Sequence, residues 1–462
     1  MSQVPYATNP WVCGTASTLT ALIVLSAALT GCASQPAAPT GDPFAAPTAG
    51  PIAGPTAKAI DPQRVQTLAQ DGVTVQLAVA TDQEASRQFG VSLAEYGIQP
   101  IWVRIINTTD VDYWVMPLAI DPDYYTADEA ALVATEDLDD EKKAQVTAAF
   151  RKHAMPFYLG GPSENEGYVY ATYRRGGRFV DVRLSAFGHG VRMRFAVPLP
   201  TEGFDYELSP LRQLYAQVDS YPDLTRDEVR VRVREMPCCT TTADGKGEGD
   251  PLNIVLVGSG RDVLAGLTAG GWGFTEAITV DSVRRMIGAA LTDQPMVTAP
   301  VSALYAFGRK QDLALQRARS KIAQRNHMRL WLAPFLCEGQ PVWVGQVSRD
   351  IGVKLTRKSP TLTTHIIDPN VDESREYVLE SLLHEEAVEW FAFVRGGHPA
   401  TRDDPRHNLT DDPYFTDGMR MLIRVSAAPV PPWQTVVLPW NESTDPIRAG
   451  RGEDAVVHKD PP

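Results

Sequence analysis

Arg325-Asn326-His327-Met328-Arg329-Leu330-Trp331 puts a cation or potential cation at alternate positions. If this run is a β-strand, Arg325, His327, Arg329 and Trp331 all project to one face, because side chains alternate with a period of two. Cations packed that closely repel unless something anionic lies among them: a phosphate, a ligand carboxylate, or the protein's own Asp and Glu. Arg349-Asp350 and His365-Ile366-Ile367-Asp368 follow at short range and add a second histidine, two carboxylates and a further arginine. Such a set suits phosphoester hydrolysis, with His327 or His365 as nucleophile or general base and the guanidiniums stabilising charge that develops on oxygen. It serves equally as a passive anion site. A metal-dependent hydrolase would use His327, Asp350, His365 and Asp368. The bland alternative is a buried ion-pair network in which Arg325, Arg329 and Arg349 neutralise Asp350, Asp368 and Asp372.

Other patterns fail on chemistry. Gly258-Ser259-Gly260 follows a strand and opens a helix, but the third glycine of a dinucleotide fingerprint is missing. Val257 two residues before Ser259 excludes a nucleophile elbow. His384-Glu385-Glu386-Ala387-Val388 offers valine where a zincin helix needs its second histidine. The pairs Asp403-Asp404 and Asp411-Asp412 do not fit a calcium-binding EF-hand loop.

The elements that must position the cationic face fall into two textures. Between 59 and 237 the chain reads as β-dominated. Val73 to Val79 alternates apolar and polar residues, Ile98 to Ile106 and Val111 to Ile120 are β-rich, and Arg178 to Leu184 and Val191 to Val197 flank a turn at Phe187-Gly188-His189-Gly190. One helical pattern, Asp139 to Phe150, interrupts them. This predicts a β-sandwich-like domain decorated with helices. From 238 to 430 strands (253–258, 304–308, 328–332, 342–347, 390–394, 419–426) mix with helices (262–267, 280–291, 372–384), which predicts an α/β or α+β domain.

The N terminus bears on where this chemistry would occur. An uncharged apolar run from Ala16 to Leu29 is short for a membrane span and suited to an export signal, although no Lys or Arg precedes it. It ends in Leu29-Thr30-Gly31-Cys32, which resembles a bacterial lipobox. That resemblance implies removal of residues 1–31, diacylation of Cys32 (a palmitate-type anchor) and attachment to a membrane. Ala33 in place of Asp implies outer-membrane sorting, so the expected location is the cell envelope, facing the periplasm. Residues 32–58 alternate proline with Ala, Gly and Thr and predict an extended tether reaching about 80 Å. Residues 431–462 predict a disordered, polar tail.

A formal charge of -13 and a pI near 5.2 argue against nonspecific nucleic-acid binding, which depends on basic surface. Of five cysteines, Cys13 would leave with the signal and Cys32 would carry lipid. The adjacent Cys238 and Cys239 can form a vicinal disulfide, one can pair with Cys337, or they can bind metal alongside histidines; no CxxC spacing supports zinc, and a structural role is expected.

Pro237-Cys238-Cys239-Thr240, Asp250 through Ser259, Ala299 through Tyr305, Arg309 through Ala314, Arg325 through Trp331, Thr364 through Pro369 and Tyr414 through Gly418 together resemble the LssY C-terminal domain family over about 235–428. Some relatives join this domain to segments similar to DedA proteins or phosphatidic-acid-phosphatase enzymes, which implies lipid or lipid-phosphate chemistry in the envelope. The catalytic signature of those phosphatases is absent here. Ile366 stands where many relatives carry a second histidine after His365, which argues against a paired-histidine metal site. The expectation is therefore a membrane-anchored lipoprotein that binds an anionic, lipid-phosphate-like envelope ligand through Arg325, His327, Arg329, Arg349, Asp350, His365 and Asp368. Processing of that ligand is the further step, and no cofactor or metal is expected. Its rival is a noncatalytic scaffold with protein partners in an envelope or secretion complex.

Overall fold

The computed structural model describes residues 60–199, 210–275, 301–318, 325–355, 363–426 and 428–440. Cys32, the apolar run, the tether, the helix expected at 280–291 and the tail beyond 440 lie outside the described residues. The described chain is mostly β-sheet, arranged in several sheets.

Two four-stranded sheets share one apolar core. In the first, Gln66–Gln70, Val73–Val79, Ile98–Asn107 and Ser163–Thr172 lie side by side. In the second the order is Tyr158–Leu159, Tyr113–Val115, Gly177–Ala186 and His189–Pro198. Alternation sends Val73, Val75 and Leu77 from one sheet and Val180, Val182 and Phe195 from the other into the same cluster. The opposite face of the first sheet presents Ala78, Trp102 and Tyr170, covered by the Asp82–Phe89, Ala127–Ala134 and Asp140–His153 helices through Phe89, Ala130 and Phe150. Thr81 and Glu84 start the first of these helices as a reciprocal capping box, as Thr126 and Glu129 start the second. Val111 to Ile120 is not one strand: pairing stops at Val115, and Pro117, with its fixed φ and no N–H, opens a short helix instead.

The larger sheet has ten strands among the described residues. Its main order is Gly273–Phe274, Leu313–Ala318, Arg325–Cys337, Gln340–Leu355, Ile254–Val257, Met419–Val425, Val388–Arg395 and Val436–Val437. Thr363–Ile367 pairs antiparallel with the far end of the Gln340–Leu355 strand, and Asp223–Leu224 pairs with Arg325–Cys337. One face meets the Gly260–Ala269 and Val371–His384 helices through Leu256, Met328, Leu330, Trp343 and Ile423. The other carries Val255, Trp331, Val344 and Leu422 against Val229 and Val233 of the Arg226–Glu235 helix. Leu211, Tyr215 and Val218 join the helix-covered core of this sheet, and Val229 and Val233 the core on its other face, so 210–236 packs with this sheet although its sequence groups it with the preceding β-rich region.

The two assemblies meet along the second small sheet. Arg192 bridges Asp181 and Glu386, and Arg194 donates to the Glu386 carbonyl. Gly177 leaves room for the Phe274 ring, which an added Cβ would approach to 2.5 Å.

Candidate functional site

The Arg325–Cys337 strand settles the geometry of the cationic run. Met328, Leu330 and Leu332 enter the helix-covered core, whereas Trp331 and Ala333 enter the core on the other face. Odd-numbered Arg325, His327 and Arg329 therefore share the second face. The neighbouring strands supply polar partners in register: Gln316, His327 and Ser348 form one row, and Ala314, Arg329 and Gln346 the next.

Every member of this cluster is withdrawn from solvent. Arg325, His327, Arg329 and Asp350 are 1%, 4%, 7% and 2% exposed, so the groups lie under packed chain and not in an open mouth. Arg325 donates from Nη1 to Gln316 Oε1 at 2.7 Å, and its Nε lies 3.5 Å from Asp350 Oδ2. The same carboxylate oxygen stands 3.3 Å from His327 Nδ1. Arg329 donates to Gln346 Oε1 at 2.8 Å and to the Ser302 carbonyl at 3.1 Å, and Gln346 passes a hydrogen bond on to Ser348 Oγ at 2.9 Å. The carboxylate of Asp250 also acts on this group electrostatically and accepts from Asn408 Nδ2 at 2.9 Å.

Burial controls the protonation of the acids. Desolvation pushes the Asp350 carboxyl up to about 7 against the opposing pull of Arg325 and Arg329. Asp250 is raised for the same reason, with Asp412 adding to the effect and Asn408 and Arg329 opposing it. Burial thus shifts both carboxyls toward the neutral form, and it lowers the Arg325 guanidinium as well, against the pull of Asp350.

The seven residues expected to act together separate into groups. Arg325, His327, Arg329 and Asp350 converge as described. Arg349 points to the helix-covered side, pairing with Asp368 Oδ2 at 3.7 Å and Glu373 Oε2 at 3.8 Å, and its Nε donates to Asn326 Oδ1 at 3.3 Å. Arg349 and Asp368 are therefore not part of the Asp350 cluster: adjacent positions on a strand face opposite ways. His365 lies in the Thr363–Ile367 strand, paired with Val353, and its side chain is outside the described residues. Asp372 does not meet the cluster arginines. It receives Thr416 Oγ1 at 2.7 Å and lies 3.4 Å from Arg375, which clasps Asp417 with both nitrogens. The ion-pair reading thus holds for Arg325 with Asp350 and for Arg349 with Asp368.

Sequence reasoning missed Gln316, Gln346, Ser348 and Asp250. A signal existed for two of them: Gln346, Ser348 and Asp350 continue, at every second position, the face of Val342 and Val344. The strand expected to stop at Val347 in fact runs to Leu355. Nearby, Arg309 forks onto Asp312 at 2.9 and 2.7 Å, while Asp312 Oδ2 accepts the Leu332 N–H at 2.7 Å. This latch fastens the 305–312 hairpin to the strand that carries Arg329.

Cys238 and Cys239 form a vicinal disulfide. Pairing with Cys337 is overturned, since Cys337 is free, buried and pushed up to about 12 by desolvation.

Residues 233–419 match the family model of the LssY C-terminus. No curated protein and no solved structure matches the chain.

Proposed function

We propose that this chain is a bacterial envelope lipoprotein, anchored through Cys32, whose LssY C-terminal domain takes an anionic, phosphate-like ligand at the Arg325–His327–Arg329–Asp350 cluster. The observation that supports the reading is the convergence of Arg325, His327 and Arg329 on one strand face, where Gln316 and Gln346 accept from the two guanidiniums and burial pushes the neighbouring Asp350 carboxyl up to about 7. A buried cluster assembled only for stability would gain more from fully ionised carboxylates or from apolar residues of the same volume. Asp350 Oδ2, 3.3 Å from His327 Nδ1, also sets an acid beside an imidazole, the pairing that processing of a phosphate ester would use. In this reading the small-sheet region is a sandwich-like domain, and a tether holds both regions off the outer membrane on its periplasmic side. Among the described residues no helix is long and apolar enough to cross a membrane.

The test is binding of inorganic phosphate and of vesicles containing phosphatidic acid, measured for the unaltered chain and for His327→Ala and Arg329→Ala. Folding is controlled by circular dichroism, with Arg329→Gln as the milder variant. Loss of binding in folded variants supports the site; unchanged binding and turnover remove it. Mass spectrometry of the mature N terminus tests the anchor, and an unmodified Cys32 thiol counts against it.

A second reading, a noncatalytic scaffold, draws on a different observation. Trp114 and Tyr158 are cross-strand partners, they are exposed, and their rings lie 5.8 Å apart beside exposed Phe157. An aromatic patch on a sheet edge suits a protein partner. Co-purification of an envelope protein that is lost in Trp114→Ser/Tyr158→Ser, with phosphate binding absent from the unaltered chain, would favour this reading.

A further inference from the structure

Away from the buried cluster, a cleft of about 590 Å³ opens beside the vicinal disulfide, with Arg234, Glu248, Gly396 and His398 among its walls. Its frame is rigid. Arg420, itself buried, donates to the carbonyls of Leu252, Val233, Met236, Pro237 and Gly396, and so ties both walls together. Gly396 permits that approach, since a Cβ there would come within 2.8 Å of the guanidinium. The cysteines are fixed by the Leu252 N–H to Cys238 carbonyl bond at 2.8 Å and by the bridge between Cys239 and Pro251.

The Sγ atoms of Cys238 and Cys239 and a carboxylate oxygen of Glu248 all lie within 4.8 Å of one another. His398 Nδ1 is 3.9 Å from Glu248 Oε2, and Arg406 pairs with the same oxygen and holds the carboxylate in place. Four ligands around a tetrahedral Zn²⁺, with bonds of about 2.0–2.3 Å, are about 3.3–3.8 Å apart. Once the S–S bond is broken and the sulfurs separate, they and the Glu248 oxygen lie within reach of one ion, with His398 placed beside them through Glu248. As a disulfide the sulfurs cannot serve, because the thiolate is the metal-binding form.

We propose that the Cys238–Cys239 pair is a redox gate on a binding site for a thiophilic cation of the Zn²⁺ class. A two-electron reductant of the thiol or phosphine class cleaves the S–S bond, and two electrons and two protons convert it to two thiols while the reductant is oxidised. The cation then displaces both thiol protons and is held by two thiolates and Glu248, with His398 at the open side of the cleft. Reoxidation by a disulfide donor re-forms the S–S bond, returns the two electrons to the donor and ejects the cation. The proposal does not depend on the anion-binding reading.

The experiment uses the full chain, reduced with a phosphine that is then removed without oxygen, and titrated with Cd²⁺ as a spectroscopic stand-in for Zn²⁺. Reduced protein is expected to show a thiolate-to-metal ultraviolet band that saturates with added Cd²⁺ and is absent before reduction. Cys238→Ser/Cys239→Ser, which retains Cys13, Cys32 and Cys337, should lose that band. Glu248→Gln should weaken binding on the order of tenfold or more, and His398→Ala by less. Comparing the oxidised and reduced forms of the unaltered chain keeps the result decisive if a variant misfolds. Equal binding before and after reduction, or a band that survives in the double-serine chain, overturns the proposal.

Discussion

Asp121–Arg178 and Asp350–Arg325 are both arginine–aspartate pairs almost wholly shielded from water, yet their acids shift in opposite directions. Burial raises both. At Asp121 it is outweighed by hydrogen bonds from Thr172 Oγ1 at 2.7 Å, the Thr172 N–H at 2.8 Å and the Asp123 N–H at 3.0 Å, with Arg178 adding charge, and the carboxyl ends below its ordinary value. At Asp350 the Arg325 and His327 nitrogens stand at 3.5 and 3.3 Å, burial prevails, and the carboxyl rises to about 7. An arginine beside a buried carboxyl therefore does not by itself fix the direction of its shift: hydrogen bonds outweigh burial at Asp121, and burial outweighs the arginines at Asp350.

The largest expected effect breaks the structural member of the pair. Arg178→Met leaves Asp121 buried without its cation and should cost about 3–5 kcal/mol in a urea unfolding experiment at pH 7. A loss under 1 kcal/mol, as a rough threshold, would show that Asp121 is stabilised by its hydrogen bonds alone.

The pH dependences should then run in opposite directions. The folded-state pKa of Asp350 lies above its unfolded value, so its contribution to stability is present below about pH 4 and is lost as pH rises to about 7. Relative to the unaltered chain, Asp350→Asn should gain stability across that window, by on the order of a few kcal/mol, and stay level above it. Asp121, being lowered, contributes above about pH 4 and loses that contribution as pH falls through its folded value. Asp121→Asn should therefore be most damaging at neutral pH and least in acid. Parallel profiles for the two variants would erase the distinction.

Smaller effects test the surroundings. Arg192→Ala removes the bridge between Asp181 and Glu386 and should cost about 1 kcal/mol, read as a lower urea midpoint. Thr81→Ala deletes one half of a capping box and should also cost about 1 kcal/mol or less, with no effect on ligand binding at the distant cluster.

How much of this was legible varies residue by residue. The strands Val73–Val79 and Ile98–Asn107, the Gly177–Ala186 and His189–Pro198 hairpin and the Val371–His384 helix carry their own periodicity, so local pattern and final structure agree. The common face of Arg325, His327 and Arg329 follows from alternation alone. The exclusion of Arg349 follows equally from its adjacency to Asp350, but only after both are known to lie within one strand that extends past Val347.

What the sequence determined by itself was therefore short-range: which residues alternate along a strand, and where a helical period begins. Tertiary structure alone decided that Gln316, Gln346 and Ser348 flank the arginines, that Asp250 comes within electrostatic reach of Asp350, and that Glu248 reaches the two sulfurs. The physical reason is that strand pairing and desolvation depend on segments remote in the chain. Both the charge state of a buried carboxyl and the company of a disulfide are set by those neighbours, not by the residues on either side.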